Sequence, residues 1–267
     1  VAPESLRGTG SGGYDALWLA LREGADADAR ATELLEPLRA ALPPGGPLVI
    51  WDLGCGTGSL GRWLAPRLAD RPQRWVLFDG DAGLLAKAHV PAPFTTREGD
   101  LSALRAADLA DASLVAASAL LDVLDPARLD GLAAAITTAG CPALFTLTVA
   151  GDVRLDPPDP LDADLVAAFN DHQRRTGLLG PDAVAAATEA FARRGAAVLT
   201  SPSPWRLGPD QAALTAAWLR GWVAAAVEQR PDLAPAAARY LRRRLPDGGL
   251  RAEISHTDLL AVPGGIT

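Results

Sequence analysis

The stretch Val49-Ile50-Trp51-Asp52-Leu53-Gly54-Cys55-Gly56-Thr57-Gly58-Ser59-Leu60 runs a short apolar segment into a turn with glycine at every second position. Glycine adopts backbone conformations closed to other residues and lets a ligand approach without a Cβ in the way. A helix opening near Gly58 would present free N–H groups and a positive dipole end to an anionic group. A ligand-free strand-to-helix turn is the plain alternative, but three spaced glycines exceed what such a turn needs. Asp79 closes a second apolar run, Trp75-Val76-Leu77-Phe78, and lies 21 residues beyond Gly58. A carboxylate at the end of a second strand can accept both hydroxyls of a ribose. Capping a helix is its other use, one that Asp81 could equally serve.

Two cofactor readings start from these residues. Gly56-Thr57-Gly58-Ser59-Leu60-Gly61 spells G-x-G-x-x-G, with Asp79 18 residues beyond Gly61, which would suit an NAD-dependent oxidoreductase. That register leaves Gly54 surplus and gives Asp52 no role. Starting instead at Gly54 puts Ser59 where the dinucleotide motif wants glycine or alanine.

Asp52-Leu53-Gly54-Cys55-Gly56-Thr57-Gly58 resembles the first motif of the class I S-adenosylmethionine-dependent methyltransferases, and Phe78-Asp79-Gly80-Asp81 resembles the second. Glu98-Gly99-Asp100-Leu101 is similar to the third motif, and Ser118-Ala119-Leu120-Leu121-Asp122-Val123-Leu124 to the fourth-strand segment. The resemblance covers roughly residues 47–150 and implies a role for each motif. The turn Gly54, Cys55, Gly56 and Gly58 would pack against the amino-acid and sugar parts of S-adenosyl-L-methionine. Asp52 would contact the methionyl amino group, and Asp79 with Gly80 the ribose. Asp100 and the Leu101 backbone would face adenine, and Ser118 would lie near the methionyl end. The activity implied is methyl transfer to O, N or C of a small-molecule acceptor, releasing S-adenosyl-L-homocysteine and requiring no metal. A non-catalytic S-adenosylmethionine-binding regulatory protein is a further alternative. Asp122, just past the fourth strand, falls where the family places residues close to the acceptor, and could orient or deprotonate it; a helix-capping or solvent-facing acid is the equal alternative.

The acceptor side is less legible. Asn170-Asp171-His172-Gln173-Arg174-Arg175 is the densest polar set outside the glycine region. Over the strand ends, His172 could act as a base, and Asn170 and Arg174 could hold the substrate, Arg174 as an anion clamp. A polar helix face ending before Gly177 explains the cluster as well. Trp218 and Trp222 stand four residues apart and share a helix face. With Trp205 they could wall a flat acceptor, or form core or an oligomer contact such as a homodimer interface. Tyr14 and Trp18, also four apart, could belong to an N-terminal lid. Arg242-Arg243-Arg244 suits a helix C-terminus.

The elements that must carry these residues alternate in type. Apolar runs at Leu48–Leu53, Trp75–Phe78, Leu114–Ala117 and Ala143–Val149 read as buried strands, with helical patterns at Leu60–Leu68, Leu84–Ala88 and near Arg128–Thr137. The expectation is a doubly wound, mostly parallel α/β sheet of seven strands. Tyr14–Leu42 reads as helical with a break at Pro37, and Pro43-Pro44-Gly45-Gly46 ends it. Residues 1–45 then form an N-terminal helical cap and residues 46–267 the α/β domain. Residues 151–160 read as a Pro/Asp-rich loop, followed by helices at about 161–175 and 181–194. A strand at Ala196–Thr200, a helical insertion over about 205–249, and a last strand from Leu250 toward Val262 complete the chain.

The totals narrow the function classes. Of 267 residues, 49% are hydrophobic and 21% charged, ordinary for a globular enzyme, and the net charge of −7 argues against a nucleic-acid partner. Cys55 and Cys141 give neither a zinc spacing nor a disulfide framework, and His89, His172 and His256 are scattered. No apolar run is long enough for a membrane span, and residues 1–13 are rich in Gly, Ser and Pro rather than apolar. A cytoplasmic location is the expectation.

Overall fold

The computed structural model describes residues 15–245 and 249–264. Tyr14 and the Gly-rich residues 1–13 lie outside the described residues.

Five parallel strands form one side of a single sheet: β1 (Leu48–Leu53), β2 (Gln73–Asp79), β3 (Phe94–Glu98), β4 (Leu114–Ser118) and β5 (Ala143–Asp156). Two further strands, β6 (Ala197–Pro202) and the three-residue β7 (Trp205–Leu207), pair with β8 (Arg251–Val262), which runs antiparallel to β5. The order is β3-β2-β1-β4-β5-β8-β6, with β7 beside the first half of β8. The chain winds outward in both directions from β1 and β4. Their C-terminal ends therefore flank the crevice where open α/β sheets bind ligands.

The expected mostly parallel doubly wound sheet is present, with eight strands rather than seven. Apolar side chains on its two faces make two separate cores. On one face, Ile136 of α5 (Pro126–Ala139) and Phe191 of α7 (Ala183–Ala192) are fully buried. On the other, Leu64 of α3 (Ser59–Leu64) and Leu38 of α2 (Leu35–Ala41) are fully buried. A short α4 (Ala82–Leu85) follows β2.

A third core sits beyond the strand ends. It joins Trp18 and Ala25 of α1 (Ala16–Ala29) to α6 (Asp162–Arg174), α8 (Ala212–Gln229), α9 (Ala234–Arg244) and β7.

Three local expectations change. The N-terminal helical stretch breaks at Arg30 and Ala31, not at Pro37, which sits in the first turn of α2, where a missing N–H costs nothing. Residues 151–156 are strand rather than loop: Val153 and Leu155 alternate with Asp152, Arg154 and Asp156 along the second half of β5. The stretch expected to be a helical insertion opens with β7 before α8 begins.

One buried carboxylate fastens the N-terminal helices to the sheet. Asp258 on β8 is 1% exposed and accepts from the backbone N–H of Ala31 at 2.8 Å and of Leu147 at 2.7 Å. Leu147 has φ +56° and lies where the pairing of β5 with β8 shifts register, so its N–H is turned away from the ladder. Asp258→Ala leaves both N–H groups unpaired in a dry interior, and a loss of about 3 kcal/mol is expected in urea unfolding. Asp258→Asn, whose single carbonyl oxygen replaces two carboxylate oxygens, should lose less.

Candidate active site

The glycine turn is built as its spacing demands. Gly54, Gly56 and Gly58 have φ of +64°, +55° and +89°, and α3 starts immediately after them. At Gly58 the backbone alone excludes any other residue, because a Cβ would sit 2.6 Å from the His89 carbonyl oxygen. Gly54, Cys55 and Gly56 line a cavity of about 950 Å³ at the C-terminal ends of β1, β2 and β4, whereas Gly58 supports the turn from behind. The Cys55 thiol is buried and its pKa pushed up by burial, so it stays protonated and is no nucleophile.

Asp79 ends β2 against this turn. Its two carboxylate oxygens accept from Gly56 N–H at 2.8 Å and Asp81 N–H at 2.9 Å, and each oxygen keeps a further lone pair. Helix capping falls to Asp81 instead, which accepts from Gly83 and Leu84 at the start of α4. Gly80 lines the cavity beside Asp79. Asp100 and Leu101 line the same end, Asp100 capping a short 3-10 turn through Ser102 N–H at 2.8 Å. That backbone hydrogen bond holds the Asp100 carboxyl below its ordinary value.

Asp52 and Ser118 stand at the ends of β1 and β4. Asp52 is 1% exposed, and neither carboxylate oxygen has a hydrogen-bond partner in the protein. Burial pushes its pKa up to about 7, with Arg30 opposing and Asp79 reinforcing the shift. Arg30, at the C-terminal cap of α1, is itself buried, donates weakly to Ser118 Oγ at 3.3 Å, and leaves its Nη1 without a partner. A buried carboxylate at the cavity wall suits a ligand that brings an ammonium, while Arg30 stands behind the wall and acts on Asp52 through its charge. The sequence reading did not single out Arg30; it lies outside the motifs, in the N-terminal helices.

The cavity continues past Ser118 and Asp122 to a second lobe between β5, β8 and the helices above. Asp122 is 2% exposed and lines the cavity from the 3-10 turn after β4. Trp205 and Trp218 both line the lobe, as does Asn170, whose amide donates to the Gly151 carbonyl at 2.8 Å.

Of the polar cluster on α6, the structure does not bring His172 or Arg174 to the cavity. His172 is buried with Nε2 3.1 Å from Glu228 of α8, and Arg174 pairs with Asp182 at 2.6 Å on the surface. A polar helix face describes Arg174, whereas His172 is 1% exposed and packed between α6 and α8. Val166, Phe169, Asn170 and Gln173, spaced three and four apart, form the face of α6 that points inward.

The histidine that does line the lobe is His256, 6% exposed, on β8 opposite Val149. Burial lowers its pKa to about 4, with Arg22 adding and Asp26 and Asp122 opposing, so the ring is neutral at pH 7. Strand alternation was the signal available for it: His256 lies two residues beyond the buried Ile254.

No family model matches this chain, and no curated protein matches it. Solved structures do. The cyclopropane synthase MmaA2 from Mycobacterium tuberculosis is 12% identical, with 86% of this chain and 83% of that one covered at a TM-score of 0.46. The precorrin-6y C5,15-methyltransferase from Geobacter metallireducens is 10% identical over 86% and 88% at 0.46. The phosphoethanolamine N-methyltransferase 2 from Haemonchus contortus, solved with S-adenosyl-L-methionine, is 14% identical over 87% and 53% at 0.43.

The Asp52 carboxyl yields a stability prediction. In the unfolded chain it ionises near its ordinary value of about 3.9, whereas in the fold it keeps its proton up to about 7. Its contribution is therefore fully present below about pH 3.9 and is lost as pH rises through about 7. Asp52→Asn should gain on the order of 1–4 kcal/mol over the parent at pH 8 and little at pH 4, measured by urea unfolding at both pH values.

Proposed function

We propose that this protein is a class I S-adenosylmethionine-dependent methyltransferase acting on a small-molecule acceptor. The observation that carries the reading is the unsatisfied, fully buried Asp52 carboxylate beside the left-handed glycine turn, with Asp79 at the end of the next strand. These residues fit S-adenosyl-L-methionine. Asp52 would hold the methionyl ammonium, with Arg30 supplying positive charge for the carboxylate beside Ser118. The spare lone pairs of Asp79 would receive the ribose hydroxyls next to Gly80. Asp100 and the backbone at Leu101 would meet the adenine edge. When bound, the cofactor supplies an activated methyl group, so what remains for the protein is to align an acceptor and exclude water.

Two features support that division of labour. A cavity of about 950 Å³ stands at the upper end of the range for a single ligand and leaves room for an acceptor beside the cofactor. Helix α1 covers the glycine turn and is pinned to α3 by a bidentate pair between Glu23 and Arg62, both bonds 2.7 Å. Among the described residues no group of His, Cys, Asp and Glu is arranged to hold a metal, and no helix is long and apolar enough to cross a membrane.

An NAD-dependent oxidoreductase using Gly56–Gly61 is the competing assignment. Gly61 is turned into the fold against Val90 and Trp75, where a Cβ would stand 2.2 Å from Val90 Cγ1, the packing role that the third glycine of the dinucleotide motif also has. The dinucleotide register gives no function to Asp52.

Calorimetric titration with S-adenosyl-L-homocysteine and NADH tests the assignment. Saturable binding of the first only is expected, weakened at least about tenfold by Asp79→Ala. Binding should also release a proton near pH 6, because the ligand ammonium ionises Asp52, and Asp52→Asn should abolish that release. Binding of NADH alone would overturn the reading.

A further inference from the structure

The second lobe has a chemical character of its own. Trp218 and Trp222 stack with ring centroids 5.3 Å apart, and Phe169 packs on Trp222 at 6.5 Å. Trp18 and Trp205 supply a second aromatic group, at 6.5 Å from each other. Arg22 and Asp26 of α1 form an ion pair there at 2.9 Å, and Trp205 Nε1 donates to the same Asp26. Their charges cancel each other, which leaves the Asp122 carboxyl as a further acidic group at the wall and disfavours an anionic ligand.

Against these aromatic surfaces stand polar groups with no partner in the protein. Both amide atoms of Gln173 and Nε1 of Trp222 are buried without a hydrogen bond, while His256 meets the backbone of Ile254. Gln173 and Trp222 are each 1% exposed and His256 6%. Leaving such groups unmet is costly, and a site built to meet them discriminates strongly against ligands that cannot. Around His256 the facing charged groups are Arg22 and Asp26 of α1 and Asp122 after β4, with the Trp205 ring at 5.5 Å.

We propose that this lobe binds an uncharged, flat aromatic acceptor that carries a ring hydroxyl, stacked among the tryptophans and hydrogen-bonded by Gln173 and His256. A hydroxyl both donates and accepts, so one group can satisfy an amide and a neutral imidazole together. Planar aromatic bodies match the tilted and stacked rings that line the lobe. An acyl chain would leave the polar atoms unmet, and a phosphorylated molecule would set its anion against the Asp122 carboxyl. This inference rests on the cofactor reading only in calling the ligand an acceptor; the binding itself is read separately.

The test is calorimetric titration of the full chain, alone and saturated with S-adenosyl-L-homocysteine, with 7-hydroxyquinoline, quinoline, decanoate and phosphoethanolamine. The expected result is saturable binding of 7-hydroxyquinoline, with quinoline at least about tenfold weaker and the other two not bound. Trp218→Ala should weaken 7-hydroxyquinoline about tenfold while leaving homocysteine-ligand affinity unchanged, which shows that the variant is folded. Gln173→Leu should shrink the gap between 7-hydroxyquinoline and quinoline. Preference for decanoate or phosphoethanolamine would overturn the proposal, as would no binding of either quinoline or binding indifferent to both substitutions. Loss of homocysteine-ligand binding with retained quinoline recognition would sink the cofactor reading and leave the lobe's chemistry standing.

Discussion

Two backbone N–H groups from distant parts of the chain end on the single buried carboxylate of Asp258, and the shape of the whole cavity follows from that junction. Ala31 comes just after α1, so the bond sets where that helix lies over the glycine turn. Leu147 comes at the point where β5 slips register against β8. Beyond it β5 continues to Asp156 with alternating burial, and Val149 and Val153 become cavity wall. Both ends of the site are thus referenced to one point. A carboxylate can do this because it accepts from two donors at once, and donors to a charged acceptor bind more strongly than donors to a neutral one.

The site gathers several of the molecule's buried polar groups that lack partners, while others, His172 Nδ1 and Ser203 Oγ among them, lie outside it. Elsewhere the carboxylates are answered: Asp182 by Arg174, Asp162 by Tyr240 and Arg244, Asp130 by Arg194. Exposed pairs such as Arg174 with Asp182 add little stability. Asp52, Gln173 and His256 are buried with few partners and line the same cavity. Unsatisfied groups concentrated in one concave region mark a surface prepared for something other than the protein itself.

The cofactor end was legible in the sequence because its chemistry is backbone chemistry. Gly54, Gly56 and Gly58 are required by left-handed φ and close approach, and such demands write themselves into residue type at fixed spacing. The buried runs of β1, β2 and β4 were legible for the same reason, being apolar without alternation. Edge strand β3 was not, since all five of its residues are exposed and carry no apolar run. The second half of β5 carried the alternation Val153, Leu155, but Pro157 and Pro158 masked it. At the acceptor end, residues meet through tertiary packing of α1, α6, α8 and β8. No local spacing announces that Gln173 faces inward while His172 faces Glu228, or that His256 closes the wall.

The order of these residues along the chain has a consequence for divergence. Everything expected to grip the cofactor lies between Asp52 and Asp122, apart from Arg30 behind it. The aromatic lobe, Trp18 aside, is drawn from Leu147 onward. Descendants of such a chain can exchange or lengthen the stretch from α6 to α8, and so change what is recognised, without touching the half that carries the glycine turn. What they cannot relinquish in that later half is Asp258, so lineages that diverge in specificity should drift around one unmoving acid.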